Sequence, residues 1–103
     1  MKTLIFVVTL AAACAASTSY AAGDLKAGRA KAVQCQACHG IDGIAKIPEA
    51  ANLAGQTEEY LTKALHDFKS GERKNEMMNM MAKPLSDADI ANLAAYYHSL
   101  KAP

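Results

Sequence analysis

Two cysteines three residues apart are followed immediately by a histidine in the stretch CQACHG, which runs from Cys35 to Gly40. Thiols at this spacing can form a redox-active disulfide, supply half of a zinc site, or bond covalently to the two vinyl groups of a haem. In the third case the histidine beside the second cysteine turns its ring toward the iron. The rest of the chain must decide between these chemistries.

The alternatives to haem attachment find less support in the sequence. A thioredoxin-like disulfide expects a βαβ context, and no strand-like alternating run follows the N-terminal segment. A structural zinc site needs four protein ligands, and only His66 and His98 remain to join the motif. A plain disulfide stays open in an oxidising compartment. We favour covalent haem attachment through Cys35 and Cys38, with His39 as one axial ligand of the iron.

The N-terminal segment is typical of a secretory signal peptide. Lys2 precedes an uncharged apolar run from Leu4 to Ala13, which is too short to span a bilayer. Ser19 and Ala21 give the small-x-small pattern that a signal peptidase needs. We therefore predict a signal peptide over residues 1–21 and a location in the periplasm.

Residues 22–103 form the predicted mature domain, for which we expect no membrane span. Cys14 leaves open an acylated lipoprotein signal, although it is removed if cleavage follows Ala21. Once Lys2 is removed with the signal peptide, the number of lysine and arginine side chains equals the 10 aspartates and glutamates. This balanced charge gives no indication of a nucleic-acid partner. A chain this short buries only about 60% of its unfolded surface, so a cofactor or crosslink is expected to supplement the core.

Helical periodicity predicts three helices and an all-α domain. The first begins after Asp24 and presents the cysteines at its end, the second runs from the cap Thr57 to a stop at Gly71, and the third begins at Ser86 and continues to Leu100. The apolar positions are Leu25, Gly28, Ala32 and Val33 in the first helix, Tyr60, Leu61, Ala64, Leu65 and Phe68 in the second, and Ile90, Leu93, Ala94, Tyr97 and Leu100 in the third.

Two long stretches between these helices, Gly40 to Gln56 and Glu72 to Leu85, are predicted to be irregular. Structureless loops of this length are uncommon in compact domains unless something orders them. A cofactor that lies between the two stretches is expected to do so.

A group of methionines offers a second axial ligand. Met77, Met78, Met80 and Met81 lie within five residues, and a thioether opposite histidine is common in electron-transfer cytochromes. A single methionine is more often a filler of irregular gaps. His66 and His98 are the competing ligands, although both are expected to be ordinary helix residues.

These motifs resemble the class I c-type cytochromes, in particular the small bacterial periplasmic subgroup that also occurs as tandem two-haem proteins. The similarity covers about Gly23 to Leu100, and it is carried by the segments CQACHG, NLAGQTEEYL, FKSGERKN and PLSDADIANLAAYY. The resemblance implies the class I cytochrome c fold, with three main helices packed around one covalently bound haem c.

The resemblance also implies which residue is the second iron ligand. The family's methionine ligand lies eight residues before the serine of the LSD segment, which is Ser86 here, and that position is Met78. Met81 is the second choice, and Met77 and Met80 stay open.

The first and last helices of the family cross where a small residue meets an aromatic one. The corresponding residues here are Gly28 and Tyr96, with Tyr97 as a neighbour that could substitute. A glycine inside a helix costs about 1 kcal/mol relative to alanine, which favours a packing reason for Gly28.

The function that the resemblance implies is one-electron transfer by a monomer that is not an enzyme. The iron would stay bound by His39 and Met78 while redox partner proteins make transient contacts. Lysines that could steer acidic partners are Lys26, Lys31, Lys46 and Lys83. Two alternatives stay open: an enzyme or gas sensor with an open iron position and Arg73 as a candidate polar group, and an electron-entry subunit of a larger complex.

Overall fold

The computed structural model describes residues 1–12 and 23–103. Residues 1–12 are exposed and contain no regular secondary structure. The predicted cleavage site after Ala21 and the cysteine at position 14 lie outside the described residues, so the signal peptide over 1–21 and the domain over 22–103 stay predictions. No helix in the described ranges is long and apolar enough to cross a membrane.

Helices are the only regular elements among the described residues, which confirms the all-α prediction. Three of them, α1, α3 and α5, are the helices predicted from the periodicity. In chain order the helices are α1 (Leu25–Ala32), α2 (Gln36–His39), α3 (Glu58–Ser70), α4 (Glu76–Ala82) and α5 (Asp87–Ser99).

Side-chain caps explain where the long helices begin and end. The carboxylate of Asp24 accepts two main-chain N–H groups at the start of α1, and the hydroxyl of Thr57 accepts one at the start of α3. At α5, Ser86 and Asp89 each accept the other's main-chain N–H, which is a complete capping box. Gly71 ends α3 in the left-handed conformation, at φ 83°, that glycine adopts without strain.

The first helix is shorter than predicted. It ends at Ala32, because Gln34 N–H and Cys35 N–H each bond to a carbonyl three residues back and tighten the chain into a turn. The cysteines and His39 therefore belong to the turn and to a separate short helix, α2. Two residues assigned to the apolar side of this helix are not buried, since Leu25 and Val33 are 52% and 53% exposed.

The prediction of an irregular stretch from Glu72 to Leu85 is wrong in part, because α4 lies inside it. Asn75 starts this helix by accepting the N–H of Met78 at 2.9 Å. The other stretch, Gly40 to Gln56, contains no helix, as predicted.

The loop from Gly40 to Gln56 is fixed by its own hydrogen bonds. The Lys46 N–H donates to the carbonyl of Cys38 at 2.8 Å, which anchors the loop to α2. The Tyr96 hydroxyl donates to the Ile41 carbonyl at 2.5 Å, which anchors the loop to α5. The loop is thereby held between the cysteine motif and the last helix.

Helices α1 and α5 pack closely at Gly28. A Cβ placed on Gly28 would overlap the carbonyl oxygen of Asn92 and lie 2.8 Å from the Cβ of Tyr96. The expected meeting of Gly28 with Tyr96 is therefore confirmed. Helix α5 supplies most of the core, and α3 packs on it as well as on α4. The core residues are Ala32, Leu61, Ala82, Leu85, Ile90, Leu93, Ala94, Tyr96 and Tyr97.

Candidate functional site

The two cysteines of the motif lie on one side of α2. Cys35 is the residue before the helix and Cys38 is its third residue, and positions three apart on a helix face the same way. Both are half-buried free thiols rather than partners in a disulfide. Two thiols on the same side of the helix are thus available for bonding to one group.

His39 has one ring nitrogen engaged and the other available. Its Nδ1 lies 2.7 Å from the main-chain carbonyl of Ala51. A carbonyl can only accept, so Nδ1 carries a proton, and in the neutral ring the lone pair is then on Nε2. This is the arrangement in which a metal-binding histidine is usually held, with the second nitrogen donating to the protein. Ala51 was not singled out in the sequence, since a main-chain acceptor has no side-chain signature.

The methionines are divided between two faces of α4. Met78 and Met81 are half-buried on one face, whereas Met77 and Met80 are 55% and 61% exposed on the next. Residues three apart share a helix face, so Met81 lies beside Met78 as expected if this segment is helical. An open hollow of about 420 Å³ lies on the exposed face and is lined by Asn75, Glu76, Met77 and Met80.

The competing histidines are exposed. His66 lies on the solvent side of α3, and His98, near the end of α5, has Nδ1 2.8 Å from the carbonyl of Gln56. Within residues 1–12 and 23–103, no group of three or more His, Cys, Asp or Glu side chains could hold a metal ion. The zinc alternative therefore has no ligand set in this part of the chain.

Cys35 and Tyr97 meet in the interior next to the motif. Burial raises the pKa of the Cys35 thiol, while the neighbouring Tyr97 hydroxyl and Lys31 oppose that rise. Burial likewise raises the pKa of Tyr97, and Cys35 adds to it. The Tyr97 hydroxyl and the Cys35 thiol are close but are not placed to form a hydrogen bond with each other. The Tyr97 hydroxyl is buried and has no hydrogen-bond partner among the described residues. A buried donor without a partner is uncommon and indicates that something further belongs there.

Comparison with known proteins gives the class of this molecule. The model of the family described as "Cytochrome c" matches residues 25–101. The chain belongs to the cytochrome c family, and within it to the class I c-type cytochromes related to the two-haem cytochromes c4.

Three relatives illustrate this relationship. Cytochrome c4 of Pseudomonas aeruginosa is 49% identical over 81% of this chain and 41% of its own length. Cytochrome c-554(548) of Halomonas halodenitrificans is 46% identical over 76% of this chain and 98% of its own length. The crystal structure of reduced cytochrome c4 from Pseudomonas stutzeri is similar with a TM-score of 0.73 and 45% identity, over 78% of this chain and 47% of that one. The chain thus spans about half the length of its cytochrome c4 relatives.

Family membership implies a covalently attached haem c, and the residues described here fit such a group. Two free thiols share one side of α2, His39 uses its Nδ1 rather than its Nε2 to bond to the protein, and two thioethers are half-buried on α4. The Tyr97 hydroxyl beside Cys35 has no hydrogen-bond partner in the part of the chain that the structure describes. This set matches the ligands that hold haem iron in cytochromes c.

Proposed function

We propose that this chain is a one-electron carrier that binds a single haem c. Cys35 and Cys38 would hold the haem through thioether bonds, and His39 and Met78 would ligate its iron. When bound, the haem supplies a ferric/ferrous couple that gains and loses one electron. The observation that carries the proposal is the His39–Ala51 hydrogen bond, which engages Nδ1 and not Nε2 in a histidine that follows two half-buried free thiols in the chain.

The protein's own contribution is to hold these groups in place. The Ala51 carbonyl fixes the ring of His39, and a donated N–H of this kind raises the basicity of the ligating nitrogen. Because the same ligands would serve both oxidation states, little rearrangement accompanies the gain or loss of an electron. A site in which the protein would supply both iron ligands leaves no open position for a substrate, so we propose a carrier rather than an enzyme.

Met78 is the proposed sixth ligand on two grounds. It occupies the position that the family pattern gives, and its side chain is half-buried while those of Met77 and Met80 are exposed. Met81 shares its face and is the alternative. Methionine ligation raises the reduction potential relative to two histidines.

We propose that the carrier works as a monomer in the periplasm after export by its N-terminal signal. Contacts with redox partners would be small and transient, under about 1,200 Å². Lys31 and Lys46 already form ion pairs, with Asp89 at 3.5 Å and Asp42 at 3.3 Å. The exposed Lys26 and Lys83 are therefore the better candidates for steering acidic partners.

Replacement of single methionines tests the ligand assignment. Met78→Ala should abolish the weak far-red band that sulfur ligation gives in the ferric absorption spectrum. Met80→Ala removes an exposed methionine of the same helix and serves as the matched control, and Met81→Ala tests the alternative. Both should retain the band. A far-red band that persists in Met78→Ala and disappears in Met81→Ala would assign the ligand to Met81 instead.

A further inference from the structure

The side chain of Asn79 joins three separate parts of the backbone. Its Nδ2 donates to the carbonyl of Phe68 and to the carbonyl of Arg73, each at 2.8 Å. Its Oδ1 accepts the N–H of Asn75 at 2.9 Å. One half-buried amide therefore connects the last turn of α3, the segment between the helices and the start of α4.

The segments that Asn79 reaches are themselves fixed. Helix α3 packs on α5, so the Phe68 carbonyl belongs to the rigid frame of the domain. Arg73 is held against α3 twice, because its guanidinium lies 4.6 Å from the centre of the Phe68 ring and donates to the Tyr60 hydroxyl at 3.2 Å. The hydrogen bonds from Asn79 thus tie a short helix to anchored backbone.

We propose that Asn79 is a positioning residue for Met78, a role that rests on the proposed ligation by Met78. Helix α4 has only seven residues, and helices this short are not stable by themselves. The two bonds donated by Asn79 fix α4 against α3, so that the thioether of the adjacent Met78 is held in the ligating position. Loss of these bonds frees α4 and increases the fraction of molecules in which Met78 is detached.

The alternative is that Asn79 only adds to the stability of the fold. Ser70→Ala distinguishes the two, because Ser70 Oγ bonds to the Asp67 carbonyl at 3.2 Å and the Glu72 N–H at 3.3 Å at the same end of α3. This variant weakens the same turn without touching α4. Asn79→Ala removes all three bonds, while Asn79→Asp keeps the acceptor for Asn75 and removes only the two donors.

Imidazole binding to the ferric holoprotein measures the detached fraction. Imidazole can bind only where Met78 has left, so its apparent Kd falls in proportion to the rise in that fraction. Loss of the two donated hydrogen bonds, which is common to Asn79→Ala and Asn79→Asp, predicts at least about tenfold tighter imidazole binding in both. Ser70→Ala should bind imidazole as the parent does, within about twofold, and the far-ultraviolet circular dichroism of all variants should match the parent.

Two results would overturn the proposal: imidazole affinities of the Asn79 variants equal to the parent's, or a shift in Ser70→Ala as large as that in Asn79→Ala. Failure of the underlying ligand assignment gives a different result. In that case Met78→Ala keeps the far-red band, whatever the Asn79 variants do.

Discussion

His39 shows how little freedom a site residue has in this molecule. It follows directly on Cys38, and its Nδ1 is held by the Ala51 carbonyl at 2.7 Å. The ring orientation and the tautomer are therefore set before any metal is bound. A preorganised ligand loses less conformational entropy on binding, which favours a stable iron–nitrogen bond.

Covalent attachment can be tested at the two thiols. In the variant Cys35→Ser with Cys38→Ser, no thioether can form, so any haem should be removed by denaturation in acidified organic solvent. The parent should keep haem on the denatured polypeptide, with the added mass visible by mass spectrometry. Cys14→Ser is the control and should retain the haem mass, because Cys14 lies outside the motif and within the predicted signal peptide. Haem mass on the double variant would contradict the assignment of the thiols.

The sequence predicts the side chains of the site better than their partners. Cys35, Cys38 and His39 are singled out as candidates by their residue types and order, which haem attachment requires, together with the export signal and the helical context of the motif. The Ala51 carbonyl could not be predicted, since any residue supplies one. The role of Asn75 as the cap of α4 could have been predicted, because an asparagine directly before a glutamate is a typical signal for the start of a helix.

At the scale of elements, the crossing of α1 and α5 depends on the missing side chain of Gly28. The backbone of α5 occupies the space where a Cβ would lie. This close approach joins the helix that leads into the motif to the helix that supplies most of the core.

Gly28→Ala should destabilise the holoprotein although alanine favours helix formation. Helix propensity alone predicts a gain of about 1 kcal/mol, while overpacking against Asn92 should cost about 1–3 kcal/mol. A thermal melt followed by circular dichroism measures the net effect, which we expect to lower the Tm. Ala30→Gly, at an exposed position of the same helix, serves as the control. It should lower the free energy of unfolding only through the poorer helix propensity of glycine, by about 1 kcal/mol. A higher Tm for Gly28→Ala would show that the crossing is not tight.

The capping box of α5 predicts a pH dependence of stability. The N–H of Ser86 donates to the Asp89 carboxylate at 2.9 Å and lowers the pKa of that carboxylate, with smaller contributions from the Ser86 hydroxyl and Lys31. A lowered pKa in the folded state contributes stability above the unfolded pKa, and this stability is lost as the pH falls through the folded pKa. Asp89→Asn should therefore be less stable than the parent at neutral pH and equal to it in strong acid.

Urea unfolding of the holoprotein at a series of pH values measures this difference. Asp87→Asn is the matched control, because Asp87 lies in the same first turn but accepts no capping bond. A difference between parent and Asp89→Asn that does not change with pH would contradict the expectation.

The starts of the long helices were predictable because Asp24, Thr57 and Ser86 are local capping signals. Helix α4 was missed for a physical reason: its seven residues, EMMNMMA, make up only about two helical turns, which is too short for a helical repeat to stand out in the sequence. Leu25 and Val33 were assigned to the buried side because spacing cannot show where a partner helix ends. Both the formation of α4 and the exposure of Leu25 and Val33 depend on tertiary contacts, which the local sequence does not show.

At the scale of the whole molecule, the protein core is small. Ile90 and Leu93 are the largest fully buried side chains among the described residues. A domain of this size buries too little apolar surface to be stable with a wide margin, so a bound cofactor contributes much of the stability.

The apoprotein is therefore expected not to unfold cooperatively. The variant that lacks both Cys35 and Cys38, freed of haem, should show weak helical circular dichroism and a broad melt without a sigmoidal transition. The holoprotein, melted under the same conditions, is the control and should unfold in one sharp step. A sharp transition in the apo form would show that the polypeptide core is sufficient by itself.

The absorption spectrum of the purified protein in its ferric and ferrous states tests the central claim most directly. The proposed carrier predicts a covalent low-spin c-type haem, a weak far-red ferric band from methionine ligation, and no ready binding of carbon monoxide by the ferrous form. A high-spin haem, or rapid binding of carbon monoxide, would mean that the sixth position of the iron is open and would contradict the assignment of an electron carrier with histidine and methionine ligands.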